Sequence, residues 1–248
     1  MLHFFRSLRK KLLSDNQLTK YILYAIGEIV LVMIGILLAL QVNNWNEAIK
    51  HKAKEKEFLL EIVSDLETNI QTMDRLLNNE DWNITTTIHS IESIIDHMEA
   101  DKLYHDSMAI HFNHANRYDE LSTKTSGYES ITSIGIDLIL DADLRSQIGE
   151  YYSSTIKQPG IAYSELRDDY YHYMLDYLRN DFVQTFNKAD NTSMIIPRNY
   201  AALKEKPDYI ESLKIFYDVN LYYRSELKRT LQKSIKLKKE VENYSDIQ

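Results

Sequence analysis

The stretch KYILYAIGEIVLVMIGILLALQVNNWNE, residues 20–47, decides the class of this protein. From Tyr21 to Val42 it runs for 22 residues with only two strongly polar side chains, Glu28 and Gln41. A helix of that length, at about 1.5 Å per residue, covers the roughly 30 Å hydrocarbon core of a bilayer. The buried helix of a soluble core rarely runs so far without a charge. We therefore predict a transmembrane helix over residues 20–46.

The residues that flank this stretch are of the kinds that hold a helix at the membrane–water interface. Tyrosines stand at its start and a tryptophan follows its end, and both types are enriched at that interface. The tail before it, residues 1–19, is basic, and its apolar residues recur at helical spacing. That pattern is as typical of an amphipathic helix on anionic headgroups as of plain flanking charge. We predict seven interface anchors: Arg6, Arg9, Lys10, Lys11, Tyr21, Tyr24 and Trp45.

The charges on the two sides of the span nearly balance, so they favour one orientation only narrowly. Five cations precede the span, and Lys50, Lys52, Lys54 and Lys56 follow it. A short, strongly basic tail is the harder side to translocate, so we expect a cytoplasmic N-terminus and a periplasmic domain, anchored in the inner membrane. The apolar stretch is longer than the usual 7–15 residues of a cleaved signal peptide, which favours an uncleaved signal anchor.

Polar and small residues share one side of the predicted span. They recur at alternating steps of four and three, the spacing of a single helix face. A carboxylate in a membrane helix costs on the order of 2–3 kcal/mol, and it either faces protein or reaches toward the headgroups. A small-xxx-small pair lets two helix backbones approach closely. We therefore predict a homo-oligomer, or docking on a partner membrane protein, through Glu28, Val32, Gly35, Ala39 and Val42.

The composition indicates a helical body without disulfides. Among 248 residues there are only 6 Gly and 3 Pro, which argues against turn-rich β folds. The absence of Cys excludes a Cys-ligated zinc site and a thiol nucleophile. Residues 43–248 hold 24 Lys and Arg against 35 Asp and Glu, a formal charge of −11. An acidic body of this kind argues against nucleic acid as a partner.

Apolar residues after the span keep steps of three and four, which predicts helices packed as an antiparallel bundle. One stripe runs from Leu59 to Leu77, and no Gly or Pro separates it from the span, so we predict one helix that continues outward as a stalk. Ile84 to Met98 indicates a second helix. Residues 101–126 are weakly periodic, which is typical of a long loop or of short irregular helices.

Caps and turn residues predict the later boundaries. Asp141 has the form of an N-cap, and Pro159-Gly160 predicts a kink or an end to the helix behind it. Residues 187–207 are loop-like, and Asp208 is the predicted cap of a last long helix. The predicted fold class is all-α, with an N-terminal transmembrane helix that continues into an antiparallel helical bundle. Its predicted parts are a cytoplasmic tail (1–19), the span (20–46) and an extracytoplasmic domain (47–248).

Two groups of side chains are candidates for chemistry. A tyrosine stripe from Tyr163 to Tyr177 has the spacing of a bundle seam, although such rings also line grooves for glycans or peptides. His111 and His114 lie on one helical face, but no third ligand stands at metal-site spacing, so surface histidines are the preferred interpretation. No catalytic, cofactor-binding or metal-binding residue is predicted, and no cofactor is implied.

Two motifs carry a resemblance to a known family. LLSDNQLTKYILYAIGEIVLVMIGILLALQVNNWNE (12–47) resembles the N-terminal signature of uncharacterised membrane-anchored proteins from Bacteroidota. TSGYESITSIGIDLILDADLRSQIGEYYSS (125–154) is similar to that family's middle motif, although Ile131 replaces a leucine and Ile134-Gly135 replaces a Ser/Thr-Gly pair. The resemblance implies a membrane anchor and a domain of unknown function, and it brings no catalytic residues with it.

We therefore expect a membrane-anchored, non-enzymatic scaffold, sensor or assembly protein whose partners are the lipid bilayer and another membrane helix. The alternative is a small-ligand-binding or enzymatic domain with its site among the tyrosines and histidines of the bundle. A concave pocket with converging polar groups would favour that alternative.

Overall fold

The computed structural model describes residues 18–188 and 192–247. The chain divides into two compact units, Met1–Lys54 and Glu55–Gln248. The first helix, α1 (Leu18–Asn78), contains residues of both. The all-α fold class, with a long apolar helix at the N-terminus, is confirmed.

The first unit is described as a single helical segment, the part of α1 that ends at Lys54. From Ile22 to Lys54 its side chains are exposed, apart from the half-buried Tyr24, Ala25 and Glu28. Residues 1–17 of the predicted tail lie outside the described residues, and so do its four anchor cations, Arg6, Arg9, Lys10 and Lys11.

The second unit consists of the rest of α1, further helices and one β-hairpin. Asn83 begins the second helix with a capping box: its side chain accepts hydrogen bonds from the N–H groups of Thr85 and Thr86, and Thr86 Oγ1 accepts one from the Asn83 N–H. Asp141 is the N-cap predicted for it, because its side chain accepts from the Leu144 N–H at 2.8 Å. The helices are α2 (Ile84–Glu99), α3 (Met108–Ala115), α4 (Ser126–Ile134), α5 (Ala142–Ser153), α6 (Gln158–Asp169), α7 (Leu175–Asp181), α8 (Tyr200–Lys204) and α9 (Pro207–Ile247), with 3₁₀ turns at Ile136–Leu138 and Thr155–Lys157 and a π-helical turn at Tyr170–Met174.

The loop predicted for residues 187–207 is wrong in part. Strands β1 (Phe182–Asn187) and β2 (Thr192–Pro197) pair antiparallel in a register that joins Phe182 to Pro197 and Asn187 to Thr192. Phe182 is buried, and Ile195 packs against the same core, so the base of the hairpin belongs to the domain. Polar residues that resemble a loop therefore mark the turn between two strands.

Two predicted helix boundaries, one from Pro159 and one from Asp208, also need correction. Helix α5 ends at Ser153, before Pro159, which lies instead in the first turn of α6, where a missing N–H removes no helical hydrogen bond. Helix α9 begins at Pro207, so Asp208 is not its cap. Asp208 is an acidic residue in the first turn, where negative charge is favourable.

Two apolar clusters form the core of the second unit. One lies between α1, α2, α3, α6 and α9, and its centre is formed by Met73, Ile91, Phe112, Leu166, Leu213 and Phe216. The other lies between α1, α4, α5 and the end of α9, and it includes Leu59, Ile62, Ile131, Ile148, Leu237 and Val241. Because α1 and α9 contribute to both clusters, these two helices hold the shorter elements together.

Candidate functional site

Helix α1 is the one helix within the described ranges that is long and apolar enough to cross a membrane, judged by length and composition. Apart from the half-buried Tyr24, the large apolar side chains from Ile22 to Val42 are between 40% and 73% exposed. In water such a surface is unfavourable at about 25 cal/mol per Å², so lipid or another helix is the environment that suits it.

The predicted interaction face is partly distinguished from the rest of this helix. Glu28 is half-buried together with Tyr24 and Ala25, of which Ala25 and Glu28 follow the predicted spacing and Tyr24 does not. Val32 and Val42 are exposed, at 55% and 63%. A Cβ added at Gly35 would meet no atom within 4 Å among the described residues. Packing inside this part of the chain therefore gives no reason for a glycine at position 35.

The described interface anchors differ in exposure. Tyr24 is half-buried, whereas Trp45 is 68% exposed and lies three residues beyond Val42. The side chain of Tyr21 lies outside the described residues. After Trp45 the helix surface becomes basic, and Lys50 pairs with Glu47 at 2.9 Å across one helical turn. This pair is exposed on both sides, so solvent screens it and it contributes little to the stability of the helix.

Helix α1 also carries a buried polar row that the sequence analysis missed. We call Glu55, Asp65 and Asn69 the polar seam, because each is at most 1% exposed and each binds another element of the second unit. Glu55 Oε1 accepts hydrogen bonds from the Leu140 N–H at 2.8 Å and from the Tyr244 hydroxyl at 2.9 Å. One carboxylate thus joins the beginning of the second unit to the end of α9.

The other two residues of the polar seam fasten the start of α4. The side-chain amide of Asn69 donates to the Lys124 carbonyl at 2.8 Å and accepts from the Lys124 N–H at 2.7 Å. This pair of bonds resembles the two backbone hydrogen bonds that neighbouring β-strands exchange. Asp65 accepts from the Gly127 N–H at 2.6 Å and from the Ser126 hydroxyl at 3.0 Å, and Lys124 Nζ lies 3.4 Å from it. Buried polar groups with this many partners fix one arrangement of the chain.

The middle motif supplies much of this second set of contacts. Gly127 presses against α1 so closely that an added Cβ would lie 2.8 Å from backbone atoms of Glu61 and Ile62. Later in the motif, Arg145 donates to the Ile139 carbonyl at 2.6 Å. The rings of Tyr128 and Tyr152 stack with centroids 4.5 Å apart, which closes α4 onto α5. The described contacts of this motif are therefore architectural.

The tyrosine stripe is mostly a seam of the core. Tyr163 is buried, and Tyr170 and Tyr177 pack against the first apolar cluster, but Tyr173 is 45% exposed. The π-helical turn at Tyr170–Met174 adds a residue to the turn, so the buried residue after Tyr170 is Met174 instead of Tyr173. Burial raises the pKa of Tyr170, as expected for a phenol removed from water.

The histidine pair lies on α3, with both rings half-buried. His111 Nδ1 lies 3.4 Å from Ser90 Oγ of α2, and its ring centroid is 6.1 Å from that of His89. Burial lowers the pKa of both His111 and His114, and the charges of His89 and Arg117 add to the effect. Within the described residues no group of three or more His, Cys, Asp or Glu side chains is placed to hold a metal ion.

Fold and site together define an all-α protein with one helix suited to a membrane and a helical domain held by buried polar contacts. The chain belongs to the family described as "Family of unknown function (DUF6090)", which matches residues 28–221. No curated protein and no solved structure matches this chain. The match begins within the apolar part of α1 and includes the whole middle motif.

Proposed function

We propose that this protein is a single-pass membrane protein that works as a non-enzymatic assembly factor, scaffold or sensor. Its apolar helix crosses the inner membrane as an uncleaved signal anchor, with residues 1–19 in the cytoplasm and residues 47–248 in the periplasm. The signature motifs support an origin in Bacteroidota. The partners are the lipid bilayer and a second membrane helix, which we take to be another copy of this chain.

The observation that carries this proposal is the unexplained glycine on an exposed helix face. Gly35 has open space around it in the described chain, and Ala39 follows four residues later on the same side. Small residues at this spacing permit the close backbone approach of two helices in lipid. Glu28, about two turns along the same face toward the N-terminus, supplies a polar group that helix–helix contact would shield.

The second unit supports a role in recognition or transmission over one in catalysis. Its buried polar residues are engaged with backbone groups and tyrosine hydroxyls of the domain itself. The polar seam lies on the helix that also supplies the apolar segment. A rotation or shift of the part of α1 that follows Glu55 would therefore act directly on contacts to α4 and α9.

Cysteine crosslinking in native membranes tests self-association, because the chain contains no cysteine of its own. Single cysteines at positions 28, 32, 35, 39 and 42 should form dimers, whereas cysteines at positions 26, 33 and 37 should not. In a crosslinking-competent background, Gly35→Ile and Glu28→Leu should each reduce the dimer at least about tenfold, a change of about 1.4 kcal/mol.

Gly27→Ile is the matched control for this experiment. Gly27 also has open space in the described chain, but it points about 80° away from Gly35 around a helix with 100° per residue. The control should leave the dimer unchanged. Equal crosslinking on all faces, or a dimer insensitive to Gly35→Ile, would contradict the proposed interface.

A further inference from the structure

Five of the eight histidines in the chain lie between residues 89 and 114, and two of them stand on α3. This helix has only eight residues, so it depends on its docking contacts more than on its own stability. Its buried side chains are Met108, Ala109, Phe112 and Ala115. Phe112 is wholly buried, with ring centroids 5.5 Å from Phe182 and 6.4 Å from Tyr200.

The charged groups around His111 offer little to balance a positive charge on its ring. On α2, His89 faces it, and Glu92 Oε2 lies 3.9 Å from Nδ1 of His89. On α3 itself the neighbour is His114, and Arg117 follows one turn later. Strand β2, which packs on α3, contributes no ionisable side chain.

The elements at a greater distance also carry charged groups, and two of their lysines are paired with carboxylates. Helix α9 packs on α2 with Lys214 and Asp218, which share a groove with Glu92 and Asp96. Lys214 pairs with Glu99 at 2.9 Å. In the turn before α3, the His105 ring lies 5.0 Å from His97, and Lys204 pairs with Asp101.

Protonation therefore favours the undocked form of α3. His111 and His114 bind a proton less readily when docked than in open chain, where the ordinary pKa is 6.5. Each histidine therefore binds fewer protons in the docked state than in the open chain. Its contribution to the stability of the docked helix is complete above pH 6.5 and is lost as the pH falls through the lowered pKa. Both histidines add positive charge beside Arg117, so their effects reinforce each other.

We propose that α3 is an acid-sensitive latch, which leaves α2 and β2 as the pH falls from neutral to about 5 and uncovers the aromatic surface of Phe112 and Phe182. The geometry that supports it is a short helix with two half-buried histidines facing a third histidine and an arginine. The latch lies entirely within the second unit, so it holds whether or not the apolar helix self-associates.

Trp82 provides a direct reporter of this latch. Its indole N–H donates to Thr87 Oγ1 at 2.8 Å, and the Thr87 hydroxyl lies 3.1 Å from the His114 carbonyl oxygen. Arg117 stands over the Trp82 ring at 5.3 Å. With Trp45→Phe in the full chain in lipid nanodiscs, Trp82 is the single tryptophan, and its emission should shift to the red reversibly with a midpoint below pH 6.5.

Two variants make the test specific. The double variant His111→Gln/His114→Gln keeps polar side chains without the titration, and it should abolish the shift. If that variant does not fold, His89→Gln is a substitute, because the His89 side chain is 70% exposed. Its loss removes a charge that opposes protonation of docked His111, so acid should destabilise the docked form less and the midpoint should move downward in pH. His172→Gln, an exposed histidine outside α2 and α3, is the control and should leave the midpoint unchanged.

Three results would overturn the proposal. The first is Trp82 emission that stays constant from pH 8 to about 5. The second is a shift that persists unchanged in the double variant and in His89→Gln. The third is a loss of far-ultraviolet circular dichroism that accompanies the shift, since that would show unfolding of the whole domain instead of release of one short helix.

Discussion

Asp65 and Gly127 are joined across 62 residues of sequence by a 2.6 Å hydrogen bond from the Gly127 N–H to Asp65 Oδ2. The same glycine lies against the backbone of α1 at Glu61 and Ile62, where no side chain fits. One residue pair thus fixes both the distance and the register between α1 and α4. The family's middle motif contains the glycine, and the polar seam contains the aspartate.

Asp65→Ala should lower the free energy of unfolding by about 2–4 kcal/mol. The substitution leaves the Gly127 N–H without its acceptor and removes the partner of Ser126 and Lys124, and buried groups without partners carry this order of cost. Urea denaturation of the full chain in detergent measures it. Asp74→Ala is the control: Asp74 is exposed and, within the described part of the chain, accepts one side-chain hydrogen bond, from Asn78 across one turn, so a change below about 0.5 kcal/mol is expected.

Gly127→Ala should destabilise the domain by about 1–3 kcal/mol through overpacking, because the new methyl group meets backbone that cannot move aside easily. The matched substitution is Gly149→Ala within α5, where an added Cβ meets nothing within 4 Å among the described residues. There alanine should stabilise the helix by about 0.5–1 kcal/mol. Melting temperatures that fall equally in both variants would contradict the close-approach argument.

Stability should decline at alkaline pH because of buried tyrosines. Burial raises the pKa of Tyr151 to about 12, and it also raises that of the wholly buried Tyr209 above its ordinary value. A raised folded pKa means that the stabilising contribution is complete below pH 10 and is lost as the pH rises toward 12.

The double variant Tyr151→Phe/Tyr209→Phe checks this dependence. Between about pH 9 and 11 it should lose less stability than the parent chain. At neutral pH its free energy of unfolding should be lower by about 1 kcal/mol, because the hydrogen bond between Tyr151 and Ser234 is lost. Urea unfolding at each pH measures both effects. Tyr173→Phe, at an exposed position, should change neither.

Membrane orientation can be measured because any introduced cysteine is the only thiol. Lys102→Cys is exposed in the second unit, and we expect a membrane-impermeant maleimide to label it from the periplasmic side of intact spheroplasts. Ser7→Cys, in the basic tail, should react only after the membrane is permeabilised. The reverse labelling pattern would reverse the proposed topology while leaving the span itself in place.

The sequence was informative wherever one periodicity continued without interruption. The stripe from Leu59 to Leu77 and the cap at Asp141 follow from local spacing, and the structure has both. The polar seam was also accessible in principle, since Glu55 and Asn69 continue the same steps as Leu59, Ile62, Leu66 and Met73. Spacing alone does not tell a buried polar residue from an exposed one, and here the contacts to Leu140 and Lys124 decide it.

Other features depend on contacts that spacing does not encode. The π-helical turn shifts the phase by one residue, so Tyr173 is exposed and Met174 is buried, and only the packing around Tyr170 decides this. The β-hairpin is short, and its turn residues resemble a loop; its strands persist because Phe182 and Ile195 reach the domain core. The proposed latch depends on the contact between α2 and α3, which brings His89 and His111 together, and the spacing of residues within each helix does not predict that contact.

The contact between Glu55 and Tyr244 brings the entrance and the exit of the second unit to one place. A circularly permuted domain, cut at the β-hairpin turn and joined through a short linker between these ends, should therefore keep its fold. The same closure means that a mechanical load applied between Glu55 and the end of α9 would act on this contact and on the second apolar cluster together, because Leu237 and Val241 of α9 are buried in that cluster. Separating the two ends would therefore open the core at once.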